Sequence, residues 1–260
     1  MIITAPQLLV VAGLDPSGAG LEADRQALAG INMGVRFVVT ANTLQDEHGL
    51  RELGARGAGT WIPEARKELP VCAIKFGLLP GRADLQAAAY LVREARARAK
   101  MGVKFWAVVD PVLSCSNGGR FLDRSDAQEY LRSLVPAKVV LTPNLDELAE
   151  LASADLEKLV RDPAARVAAA RMLLDLGAAA VIVKGGHGAE DPARDFVLEP
   201  GKREFWIQHP RIQGGKIRGS GCRFATRLAA RLVQGDTLLR AAKDASEHVY
   251  GRLQLAARGA

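Results

Sequence analysis

Aromatic side chains are scarce in this chain, making up 5% of its 260 residues. So few rings provide no stacking platform for unpaired bases. The arginines and lysines behind the formal net charge of +6 are scattered through helical stretches such as LVREARARAK, not gathered into a basic stripe. Nucleic acid is therefore not expected as a partner. A solvated helix face and small anionic ligands account for the surplus charge. Cysteine is rarer still. Cys72, Cys115 and Cys222 form no CxxC pair and are odd in number, which argues against a disulfide framework and points to a reduced cytoplasm. No apolar run approaches the ~20 residues of a membrane span. The opening MIITAPQLLVVAG has no basic n-region, so it is expected to begin the first strand and not to act as a signal peptide. There is no Walker A motif, because GGKI near residue 216 lacks a Ser or Thr after its lysine. The G-x-G-x-x-G spacing and an HExxH pair are also missing, and the four histidines show no metal-ligand spacing. Any use of ATP must follow another fold's rules.

What is present is ordinary globular material, 48% hydrophobic and 25% charged. Short β-branched runs alternate with amphipathic helical patterns. LLVVAG, RFVVTA, VCAIKFG, KFWAVVDP, KVVLTPN and AAAVIVKGG lack polar alternation, as parallel strands covered on both faces do. Between them AGLEADRQALAGINM, ADLQAAAYLVREARARA, SDAQEYLRSLV, LDELAELA and DPAARVAAARMLLDLG predict helices. GHGAEDPARDFVLEPGKREFWIQHP predicts an antiparallel pair turning at EPGK, and two helices follow. With no repeat, linker or shift in composition, a single α/β domain over 1–260 with a mainly parallel sheet is expected. In such sheets ligands bind beyond the carboxyl ends of the strands.

The most informative segment is Gly219-Ser220-Gly221-Cys222, which leads into the helical FATRLAARLVQ. A tight glycine turn at a helix N-terminus gathers amide N–H groups around an anion. Its positive field is expected to lower the pKa of the Cys222 thiol toward neutrality. A plain buried cysteine behind an ordinary turn is the alternative. AGLDPSGAGLEAD forms a second glycine-rich turn, with Asp24 one turn into its helix, either facing a ligand or complementing the dipole. Asn144 and Glu147, three apart, fit either a hydrated Mg²⁺ or a helix-capping box. Lys184, ahead of Gly185 and Gly186, suits a phosphate neighbour or a surface turn. Trp61, Trp106 and Trp206 are expected to pack.

In their order, AGLDPSGAG, Gln45, KFGLL, DPV, LTPNLDE, VKGGH and GSGC resemble the hydroxymethylpyrimidine and phosphomethylpyrimidine kinases of thiamine biosynthesis, within the ribokinase-like superfamily. The resemblance runs from about residue 8 to about residue 245. It implies a three-layer α/β/α sandwich, ATP and Mg²⁺ as cofactors, a pyrimidine alcohol or its monophosphate as acceptor, and a homodimer. It implies that Asp24 and Gln45 bond the aminopyrimidine while Gly13, Leu78 and Val112 line its pocket. Asn144 and Glu147 would organise Mg²⁺ and phosphate, Lys184 and Lys243 would stand near the nucleotide phosphates, and Gly219 to Cys222 would form the anion hole with Cys222 as base. The chain departs from the family in its shorter SGAG loop, in Arg218 for the usual His, in Ser220 for Thr and in Arg223 for a small hydroxyl residue. The lysine expected soon after DPV and the usual C-terminal tail are missing. Two other readings remain, a kinase of another vitamer alcohol such as pyridoxal, and a sensor that binds a pyrimidine without turning it over.

Overall fold

A computed structural model describes residues 7–46, 48–99, 101–115, 118–213 and 217–259. The strands are β1 (Leu8–Leu14), β2 (Val35–Asp46), β3 (Gly49–Ala55), β4 (Ala73–Phe76), β5 (Trp106–Val109), β6 (Val140–Leu141), β7 (Ala180–Val183), β8 (Ala193–Leu198) and β9 (Phe205–His209). The helices are α1 (Gly20–Ala27), α2 (Ala58–Lys67), α3 (Arg82–Arg98), α4 (Arg124–Glu129), α5 (Leu145–Leu151), α6 (Leu156–Arg161), α7 (Pro163–Asp175), α8 (Ser220–Val233) and α9 (Leu238–Arg258). The strands form one sheet in the order β3-β2-β1-β4-β5-β6-β7-β8-β9. From β2 across to β7 every pairing is parallel, and β3, β8 and β9 are antiparallel to their neighbours.

The apolar runs are continuous because both faces are covered. Along β1, Leu8, Val10 and Ala12 join Phe224, Leu228 and Ala241 in one core under α1, α8 and α9. Leu9 and Val11 join Trp61, Leu85 and Leu148 in the other, beneath α2, α3 and α5. This is the three-layer sandwich expected from the alternation of strand and helix. The 193–209 hairpin forms as the sequence predicts, with its turn between β8 and β9. On α7, Pro163 takes the first helical position and the Asp162 side chain accepts from the Ala164 amide.

Three elements differ from the expectation. The α1 helix ends at Ala27, well before the INM of the predicted span, because the chain turns through Gly30 at φ +76°. β2 runs to Asp46 and pairs with β3, whose GLRELGA sequence carries charges that suit an edge strand and conceal its period. The α2 helix, missing from the sequence reading, holds Pro63 inside it. The GGK at 214–216 and the first six residues of the predicted N-terminal run lie outside the described residues.

The site is positioned by topology. After β1 the chain builds β2 on one side of it and later returns to build β4 on the other. The crevice opened by that reversal, at the carboxyl ends of β1 and β4, is where such sheets bind ligands. Beneath it lies a buried ion pair. Lys75, inside the apolar strand β4, donates to Asp24 of α1 at 2.8 Å, and Thr226 of α8 donates to the same oxygen at 2.7 Å. All three side chains belong to residues with 0% exposure. Burial alone would lower the Lys75 ammonium, but Asp24, Cys222 and Asp110 outweigh it and hold it above its ordinary range.

Removing one partner of such a pair strands a charge in the interior and typically costs about 3–5 kcal/mol. Lys75→Ala is expected to lose stability of that order in urea unfolding. Asp24→Leu combined with Lys75→Met is expected to recover most of it. A Lys75→Ala chain as stable as the parent would show that the pair does not hold these layers together.

Candidate active site

Gly219 carries the turn. Its φ of +69° is left-handed, and a Cβ there would stand 2.7 Å from the Ala23 Cβ, so α1 and the turn can meet only at a glycine. Behind it α8 begins with the amides of Ser220, Gly221 and Cys222. These are first-turn N–H groups with no carbonyl inside the helix to receive them, and no side chain caps them. They form the positive end of a 14-residue helix.

Facing the amides is a group of alternating charges. Lys184, just past β7, donates to Asp110, just past β5, at 2.6 Å, and its Nζ lies 3.8 Å from Glu147. A Cβ on Gly221 would come within 2.8 Å of that Nζ and 3.1 Å of Asp110 Oδ2. The amide turn therefore adjoins the lysine and its carboxylates directly. Burial would lower the Lys184 ammonium, but Asp110 and Glu147 together hold it protonated well above the usual lysine range. Burial lifts the Glu147 carboxyl to about 7, with Lys184 opposing and Asp110 adding to the rise.

Asn144 and Glu147 form a capping box. The Glu147 amide donates to Asn144 Oδ1 at 2.8 Å, and the Asn144 amide donates to Glu147 Oε2 at 2.7 Å. The capping alternative is thus realised, and the same Glu147 also faces Lys184. Among the described residues no group of three or more His, Cys, Asp or Glu could hold a metal ion by themselves. Asp110 and Glu147 are hard oxygen donors with an ammonium already between them, an arrangement that suits a hydrated cation better than a dehydrated one.

On the other side of the turn lies an apolar wall. Leu78 packs with Ala41, Cys115 and Phe121, and Val112 lies against this cluster. A Cβ on Gly13 would stand 2.9 Å from Leu78 Cδ2, so Gly13 shares the same wall. Gln45, near the end of β2, stands beside it, with its Oε1 accepting from Arg218 at 2.8 Å and its Nε2 donating to Thr43 at 3.3 Å. Gly13, Gln45, Leu78, Val112, Asn144, Glu147, Lys184 and the 219–222 turn are thus distributed around one strand edge.

Two residues are not. Asp24 has no exposed surface; its Oδ1 is taken by Lys75 and Thr226, and its buried Oδ2 has no hydrogen-bond partner among the described residues. Lys243 of α9 lies with its ammonium 4.6 Å from the Phe205 ring, at the start of β9. Val197 of β8 pairs with Phe205 there, at the sheet edge opposite Lys184. An open cleft of about 810 Å³, lined by Trp106, Phe205 and Leu238 among others, is at that opposite edge and is lined by none of the residues placed around the 219–222 turn.

The thiol is the clearest reversal. Burial pushes Cys222 up to about 12; Lys75 and Lys184 pull against this, while Asp24 and Asp110 reinforce it. The sequence reading counted the helix dipole but could not count the two carboxylates or the lost solvent. Arg223 does not fill the turn. It reaches back to the Arg218 carbonyl and donates to Gln26 of α1 at 2.5 Å. Sequence reasoning gave no role to Lys75, Asp110 or Arg218. A lysine in the middle of an apolar strand is a signal that could have drawn attention to the first.

The sequence model described as phosphomethylpyrimidine kinase matches residues 15–258. Among curated relatives, a hydroxymethylpyrimidine/phosphomethylpyrimidine kinase of Streptomyces coelicolor is 31% identical over 96% of this chain and 90% of that protein. One of the same description from Bacillus subtilis is 30% identical over 93% of this chain and 86% of its own. Among solved structures, an ADP complex of Bacillus subtilis pyridoxal kinase superposes with a TM-score of 0.81 at 25% identity, covering 94% of this chain and 90% of that one.

A thiol titrating near 12 is only about one part in ten thousand thiolate at pH 8, and only the thiolate alkylates readily. Iodoacetamide labelling of Cys222, followed by mass spectrometry, is expected to keep rising with pH beyond 9. A rate already level by pH 8 would mean the turn lowers the thiol pKa after all.

Proposed function

The chain belongs to the phosphomethylpyrimidine kinase family, and we propose that it transfers the γ-phosphoryl group of ATP to 4-amino-5-hydroxymethyl-2-methylpyrimidine and to its monophosphate in thiamine biosynthesis. The observation that carries this reading is the contact between turn and lysine, where Gly221 leaves no room for a methyl group beside Lys184 and Asp110. Phosphoryl transfer requires little covalent help from a protein. It requires in-line positioning and neutralisation of the charge spreading over the γ-phosphoryl oxygens. Unpaired amides and an ammonium that stays protonated, set side by side, supply that neutralisation.

In this reading the pyrimidine rests on Gly13, Leu78 and Val112, and the Gln45 amide bonds its polar edge. Its 5-substituent points toward Cys222. Lys184 and the 219–222 amides receive the transferring group. Asp110, Glu147 and Asn144 would hold Mg²⁺, which when bound would neutralise charge on the nucleotide phosphates. Asp24 acts from below by fixing Lys75 and α8, without touching the ligand. Lys243 is left without a part in phosphate binding.

The two acceptors make different demands. A phosphate monoester is already ionised and needs no base. An alcohol must lose a proton, and Cys222 can take it only in the small thiolate fraction that its surroundings permit.

ADP release measured with both pyrimidines and pyridoxal tests the reading. Turnover of the pyrimidines is expected. Cys222→Ala is expected to lower the alcohol reaction by about 100-fold or more and the monophosphate reaction far less. Gly221→Ala, which displaces Lys184, is expected to lower both by about 100-fold. Folded protein that releases no ADP with either pyrimidine would refute the assignment. ADP with pyridoxal alone would move the acceptor to another vitamer, and thermal stabilisation without turnover would leave a sensor.

A further inference from the structure

We propose that Arg218 is a phosphate-binding residue that sets acceptor specificity, selecting the phosphorylated pyrimidine over the free alcohol. The proposal rests on the kinase reading for the place of the acceptor and goes beyond it in naming which acceptor the site prefers.

Arg218 stands one residue before the Gly219 turn, and its guanidinium reaches across the crevice to β2. One terminal nitrogen donates to Gln45 Oε1 at 2.8 Å and lies 3.8 Å from Asp15 Oδ2. That is too far for a hydrogen bond. The other Asp15 oxygen is taken by the amide and hydroxyl of Ser17, at 2.9 and 2.7 Å. Among the described residues, neither Arg218 Nε nor Asp15 Oδ2 has a hydrogen-bond partner, although both are buried. The charge of Arg218 is therefore only partly answered inside the protein. Its backbone, by contrast, is fixed, because the Arg223 guanidinium donates to the Arg218 carbonyl from behind the turn. Arg223 is itself anchored on Gln26.

The position of this cation decides what it selects. A ring bonded by Gln45 and seated on Leu78 and Val112 directs its 5-substituent toward Cys222, four residues along from Arg218. A phosphate on that substituent enters the gap between the guanidinium and the turn. Arginine presents a planar fork of donors that matches phosphate oxygens. A bare hydroxymethyl group leaves the same guanidinium facing a neutral ligand, its charge desolvated without compensation. Discrimination then comes from a penalty on the alcohol as well as a bond to the phosphate. Asp15 opposes an incoming anion, and it also holds the guanidinium toward Gln45, so it limits affinity while preserving the orientation.

Equilibrium binding measured by calorimetry, with the alcohol and the monophosphate each added to wild type, Arg218→Gln, Arg218→Lys and Gln45→Ala, separates the roles. Wild type is expected to bind the monophosphate at least about tenfold more tightly than the alcohol. Arg218→Gln is expected to shrink that ratio by about 10- to 100-fold, and Arg218→Lys to keep an intermediate value because the charge remains while the fork is lost. Gln45→Ala should weaken both ligands. An unchanged ratio in a folded Arg218→Gln protein, or parallel loss of both ligands, would make Arg218 a strut for Gln45 and overturn the proposal. Selective binding without ADP release would leave the selectivity standing and remove only the kinase reading. If neither pyrimidine binds wild type, the acceptor assignment fails and the proposal fails with it.

Discussion

The pairing of Lys75 with Asp24 is the interaction on which the rest of the structure depends. It joins strand β4 to α1, and through Thr226 to α8, the helix whose first turn carries the glycine loop. A charge pair with no solvent contact is weak support for net stability, since apolar residues of similar volume often do as well. Its physical virtue here is angular. A hydrogen-bonded ammonium tolerates little sliding, so Asp24 is held in place, and α8 cannot rotate about its axis without breaking the Thr226 bond to it in the interior. The direction in which the 219–222 amides point is set from underneath.

Charge continues outward from that pair in alternating sign. Asp24 and Lys75 lie lowest, Asp110 and Lys184 above them, then Glu147, with Cys222 among them all. Each lysine stays protonated because carboxylates surround it, and burial, reinforced by Asp24 and Asp110, suppresses ionisation of the thiol. A site arranged to receive polyanionic phosphate is thus poorly suited to generating a thiolate. The two requirements conflict, and the arrangement favours the anion.

Much of the frame could be read in the chain. Unbroken apolar runs such as AAAVIVKGG identified buried parallel strands, and GSGC ahead of a strongly amphipathic stretch identified the helix N-terminus that forms there. The rule that ligand crevices lie at strand ends points to the segment after β7, where Lys184 stands. What escaped was whatever depends on a partner far away in sequence. Asp24 gives no sign in the sequence of its buried bond to Lys75, 51 residues on, through one of its two oxygens. The Cys222 thiol has the look of an activated nucleophile until Asp110 and burial are counted. Lys243 lies on the right helix, but α9 carries it down to Phe205. Edge strand β3 was invisible because its side chains report solvent more than pairing.

The capping box at the start of α5 means that folding already uses the two side chains to which the proposed Mg²⁺ site would turn. A cap of this kind contributes about 0.5–2 kcal/mol to its helix. Selection for a stable fold alone would therefore keep Asn144 and Glu147 in place in a descendant that had abandoned catalysis. The N-x-x-E signature is consequently a poor clock for loss of activity. Positions such as Gly221 and Lys184, whose constraint comes from their neighbours in the site and not from a helix end, are where drift toward a silent relative would first be recorded.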